Sequence, residues 1–173
     1  GFVSIVAGGE PARVDIDLDG HEIDPIEGTT QNGNILTAEL EPYDVITLFG
    51  KGEDPNESDL TGVEITLTTE VSVFGGHTCA RVPQAYGACD HLETTLMPVE
   101  SWRDEFIASH TFHRSDRPTE ANYYRIVADS DGTVIQTEPS FADLNARGPV
   151  ASYLPECLLM LEGENIVLDA GEW

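Results

Sequence analysis

Two short motifs carry the residue types with the most chemistry. His77-x-Cys79 and Cys89-x-His91 set a histidine two positions outside each of two cysteines. Held as thiolates, the pair and its flanking histidines form a candidate tetrahedral zinc set, with Asp90 beside it. Oxidised, the same cysteines close a short loop, and a disulfide there is worth about 2 to 4 kcal/mol in lost loop-closure entropy. Residue types and spacing alone leave both readings open. Cys157 has no partner in this count and stands beside Leu158-Leu159-Met160-Leu161. A buried thiol, an intermolecular bond and a partner elsewhere are its three readings.

Carboxylate patterns come next. Asp15-x-Asp17-x-Asp19-Gly20 imitates the start of a calcium loop, but its twelfth position is Ile26, where a bidentate acid is needed. Val14, Ile16 and Leu18 alternate with these acids, so a strand with one wet face ending in an Asp-Gly turn is expected instead. Asp129-x-Asp131-Gly132 falls where a hairpin turn is expected. The run from Glu53 to Asp59 packs four acids and is the best place for a weak Ca2+; Asn56-Glu57-Ser58 within it is a glycosylation sequon. His110 and His113, three apart, fall on opposite faces of a strand and read as loop residues, and His21 follows a turn and is expected to be exposed. No Gly-x-Ser-x-Gly elbow, His-Glu-x-x-His or phosphate-binding glycine loop occurs, so no catalytic residue is assigned and no enzyme is expected.

The elements that must position these residues are strands. Phe2 to Val6, Arg13 to Leu18 and Val63 to Thr68 alternate apolar and polar residues, the pattern of antiparallel strands with one face on a core. Gly8-Gly9, Asp19-Gly20, Asn32-Gly33 and Asp131-Gly132 punctuate them. Helical periodicity is weak, with a turn or two at most near Ala142 to Ala146 and Leu158 to Leu161. A hairpin is expected at Thr69-Glu70, its second strand running into Gly75-Gly76. Ser4-Ile5-Val6-Ala7 and its following strand echo Arg125-Ile126-Val127-Ala128 and Thr133-Val134-Ile135; Gly33-Asn34-Ile35 echoes Glu164-Asn165-Ile166. The expected fold is all-β, an antiparallel β-sandwich of tandem strand units, with β-propeller-like blades as the alternative. Unit 1–98 carries the cysteine loop, and 99–173 is a second, truncated unit packed with the first, which reads as a piece of a longer protein.

The charge balance narrows the partners. The 173 residues hold 32 Asp+Glu against 8 Lys+Arg, a formal charge of −24. Nucleic acid and anionic membranes are excluded, since both demand a cationic surface. At 40% hydrophobic residues the chain is no disordered acidic tail. No apolar run is long enough for a membrane span.

The segment from Asp59 to Phe106 resembles the N-terminal domain family of IgGFc-binding protein. The matching elements are Asp59-Leu60-Thr61-Gly62, Gly76-His77-Thr78-Cys79, Cys89-Asp90-His91-Leu92 and Pro98-Val99-Glu100-Ser101-Trp102; downstream, Tyr124 to Ala128, Asp131 to Val134 and Asp169 to Trp173 look like the opening of a following repeat. The likeness is dense over about residues 59 to 138. It departs where the family's Trp-Gly becomes Trp102-Arg103. The resemblance implies an extracellular or cell-surface, non-catalytic binding or adhesion module whose ligand is a protein or glycan. It also favours the Cys79–Cys89 disulfide over Zn2+, because zinc would need reduced thiolates. His77 and His91 then support the loop, and Arg81, Gln84 and Tyr86 at its tip are contact candidates. A metal-dependent domain at His77, His91 and Asp90 is the alternative; a passive unit of a surface layer is the third. Contact with further parts of a longer chain is expected, and no cofactor.

Overall fold

The computed structural model describes residues 1–52, 58–82, 88–109, 124–140, 143 and 166–171. The Glu53–Glu57 part of the acidic run, with the sequon's Asn56 and Glu57, His110, His113, Cys157 and, apart from Asp143, the two weakly helical stretches lie outside them. Apart from one 3-10 turn at Val99–Ser101, the described elements are strands. They are β1 (Phe2–Ala7), β2 (Ala12–Asp17), β3 (Thr29–Asn32), β4 (Ile35–Leu40), β5 (Val45–Phe49), β6 (Glu64–Leu67), β7 (Val71–Ala80), β8 (Asp90–Thr95), β9 (Thr133–Ile135) and β10 (Ile166–Leu168).

All pairings are antiparallel. One sheet has the order β5-β1-β7-β8, a second β3-β4-β2-β6, and β9 pairs with β10. The two four-stranded sheets bury a shared core. Val3, Ile5 and Ala7 of β1 and Ile46 and Leu48 of β5 pack with Val14 and Ile16 of β2 and Leu36, Ala38 and Leu40 of β4. Alternation therefore does what it predicts: every second residue enters the core. This is a β-sandwich, and strands that cross from sheet to sheet over one core exclude radial blades.

Two expectations need correction. The first is that the two sheets would come from two tandem units; both belong to residues 1–102, and contacts divide the chain between Trp102 and Arg103. The second is the hairpin at Thr69-Glu70. β6 and β7 lie in different sheets, as do β1 and β2, and β4 and β5. The turn after β6 is instead a crossover, tied down by Thr69 Oγ1 donating to the Pro11 carbonyl at 3.0 Å. Alternation says which side chains face inward but not which sheet a strand joins.

Turn chemistry follows the sequence closely. Asp19 (φ 45°) and Gly20 (φ 82°) form the left-handed turn after β2, and the Asp17 carboxylate accepts the Asp19 N–H at 3.0 Å. Asp15 is engaged too, accepting from the Arg13 guanidinium at 3.0 Å and the Thr37 hydroxyl at 2.5 Å. These partners hold its carboxyl below the usual carboxylate range. His21 is half-buried rather than exposed, its N–H donating to the Leu18 carbonyl.

In residues 103–173, β9 and β10 form a short antiparallel pair. Thr133 meets Leu168 as Ala12 meets Leu40, and Ile135 meets Ile166 as Val14 meets Ala38. Leu40 and Leu168 are both buried, and three residues beyond each the chain turns left-handed, at Tyr43 (φ 70°) and Gly171 (φ 79°). Asp131 and Asp169 fasten the pair reciprocally, accepting the Ala170 and Gly132 N–H groups.

Candidate binding surface at the stapled hairpin

β7 and β8 form the hairpin that carries both cysteine motifs. Phe74 pairs with Thr95, Gly76 with Glu93 and His77 with Leu92; the register then slips between His77 and Ala80. Gly76 is required by the close approach of its neighbours, because a Cβ there would strike the Leu92 carbonyl and the Phe2 ring. Beyond the bulge, Cys79 and Cys89 are joined by a disulfide with their Cα atoms 5.0 Å apart. The staple lies on the exposed end of the hairpin. It ties two edges that the bulge has taken out of regular pairing.

His77 belongs to that bulge. Its Nδ1 accepts the Cys79 N–H at 3.0 Å, a backbone donor the ladder no longer satisfies. Its Nε2 is buried without a hydrogen-bond partner. Burial, reinforced by the Gly1 amino group and opposed by Asp59, lowers the imidazole pKa. A neutral ring with Nδ1 unprotonated is what this geometry demands.

His91 does different work. Opposite His77 stands Leu92, so His91 projects from the other face of the hairpin. There it stacks on Phe2, centroids 5.9 Å apart and 14° from parallel, with Nε2 3.5 Å from the Glu93 carboxylate. The two histidines therefore do not face one another. Among the described residues, no three His, Cys, Asp or Glu side chains gather as a metal would need. Arg81 is exposed just past the staple; Gln84 and Tyr86 lie outside the described residues.

The sheet face beneath His91 is one the sequence reading missed. Phe2 contacts Phe49 at 6.3 Å as well as His91, making an aromatic row across β5, β1 and β8. Val6, Val45 and Phe74 share that outer face. A signal was present in β1, where Phe2 and Val6 set apolar side chains on the outward parity beside Ser4, while Val3, Ile5 and Ala7 fill the inward one.

The family model described as IgGFc binding protein matches residues 1–167. The chain belongs to this family. The match reaches well beyond the densest stretch of motifs, taking in β1 to β5, β9 and the start of β10. The human IgGFc-binding protein is 29% identical over 110 residues, 60% of this chain. The chain spans 2% of that relative's length. No solved structure matches the chain. In this family member the motif cysteines form the staple, the motif glycine admits close strand packing, and the two motif histidines serve opposite faces of one hairpin.

Proposed function

We propose that this chain is an extracellular, non-catalytic binding module that presents the stapled end of its β7–β8 hairpin to a protein ligand. The observation that carries the reading is the exposed Cys79–Cys89 staple within a family described by binding. A disulfide on a surface hairpin suits an oxidising compartment outside the cell. It also removes conformational freedom before a ligand arrives, so less ordering cost opposes binding. Arg81, Gln84 and Tyr86 are the contact residues proposed for the loop, two of them of types enriched in interface hot spots.

The human relative's name supplies a first ligand to try, the Fc region of immunoglobulin G. Biolayer interferometry of the full chain against human Fc should give saturable binding. Arg81→Ala and Tyr86→Ala should each weaken it by tenfold or more. Absence of binding to Fc would remove that ligand, and unchanged affinity in the loop variants would remove the loop as its site. A glycan ligand is the second reading within the binding class, tested by the same protein on a glycan array.

A further inference from the structure

The two outer faces of the sandwich differ in kind. On the β3-β4-β2-β6 sheet the outward positions are polar apart from Ile35: Arg13 bridges Asp15 and Glu39, and Asp17, Thr37 and Glu64 lie alongside. That is the usual wet surface of an antiparallel sheet. On the β5-β1-β7-β8 sheet the outward residues of β1 and β5 are Phe2, Ser4, Val6, Val45, Thr47 and Phe49, two hydroxyls among four apolar side chains. Ser4 and Thr47 satisfy one another at 2.9 Å, which leaves the face without an unmet polar group there. Val45 is 61% exposed and Phe49 44%. None of these four strands contains a lysine or arginine. Contiguous apolar surface of this kind marks a contact site.

Charge indicates what fits it. Exposed Glu93 stands on the face and exposed Asp44, Glu70 and Asp90 at the ends of its strands, with no cation within the strands to offset them. A second copy would bring another −24 charges against these acids. Such self-repulsion disfavours the pairing. A partner with an apolar centre and flanking lysine or arginine meets both the face and its rim. We infer that the outer face of the β5-β1-β7-β8 sheet, where exposed Val45, Phe49 and His91 surround the buried Phe2 ring, docks a basic protein partner. This rests on the reading of the chain as a protein-binding module and extends the ligand surface from the stapled loop down the sheet to β5.

The test uses the full chain and a phage-displayed random peptide library as probe. Selection on the wild-type chain should enrich peptides with an apolar centre flanked by Lys or Arg. Their affinity should fall at least tenfold for Val45→Glu/Phe49→Glu, and should be unchanged for Glu39→Gln on the opposite face. Val45 and Phe49 are exposed on an edge strand, so circular dichroism and the melting temperature should stay at wild-type values; Val45→Ser/Phe49→Ser, which adds no charge, should show the same loss. No enrichment, enrichment of acidic or uncharged peptides, or equal binding to both face variants would overturn the inference. So would a wild-type dimer in sedimentation velocity that Val45→Glu/Phe49→Glu dissolves, which would assign the face to a second copy. Failure of the Fc region to bind, with basic peptides still selected at this face, would refute the Fc ligand and leave the face standing.

Discussion

His77 and His91 stand on opposite faces of the β7–β8 hairpin, one locking a bulge and the other stacked on Phe2. Their separation assigns them different fates on protonation. A proton on His77 Nδ1 removes the acceptor of the Cys79 N–H. His77 has its pKa lowered in the fold, so the unfolded chain takes up that proton first. Its contribution to stability is therefore present above about pH 6.5, the ordinary histidine value, and is lost as pH falls below it. Thermal unfolding between pH 8 and 5 should show the wild type losing stability over that window more steeply than His77→Asn, whose amide oxygen can still accept the N–H. Equal slopes would remove His77 from this role.

The staple should matter to stability as well as to binding. Cys79→Ser/Cys89→Ser should lower unfolding free energy by about 2 to 4 kcal/mol, the usual yield for a loop of this length. Urea denaturation monitored by tryptophan fluorescence measures it. Non-reducing peptide mapping of the wild type should recover the two cysteines in one linked peptide pair.

Gly76 is the tightest point of the hairpin. Gly76→Ala must displace both the Leu92 carbonyl and the Phe2 ring, and a cost of about 1 to 3 kcal/mol is expected for overpacking of this kind. Because Phe2 carries His91, the same change should move the His91 ring resonances in an NMR spectrum. Gly132→Ala, at a left-handed turn with open space around it, should cost less and leave those resonances unmoved.

Sequence pattern disclosed most of the strands and the turns between them. Alternation in β1, β2 and β6 and the Asp-Gly and Asn-Gly pairs carry strong local signals, since each reports a single element's own face or φ angles. Partnership between elements is a different matter. The β6–β7 corner reads as a hairpin because two alternating strands flank a two-residue turn, yet the strands cross to opposite sheets and share only the core. Register is equally hidden: nothing in the residues of β7 and β8 marks the slip between His77 and Ala80. The placement of His77 and His91 depends on the same unknown, for one residue of slip turns a side chain to the other face.

The core supplies a test of the sandwich itself. Ile16 is fully buried on β2, paired with Leu36 on one side and Ile65 on the other. Ile16→Ala should destabilise the protein by about 2 to 5 kcal/mol through lost burial and a residual cavity. Asp17→Ala next to it, on the wet face, should cost far less in the same denaturation experiment.

The central claim is that the stapled hairpin end and the adjoining face of its sheet form the surface that meets a protein ligand. Hydrogen–deuterium exchange of the full chain, free and saturated with human Fc, reads this directly. The account predicts slowed exchange from Thr78 through His91 and along Val45 to Phe49, with β2 and β4 unchanged. Protection centred on β2 and β4, with the hairpin end and β5 exchanging as in the free chain, would contradict it.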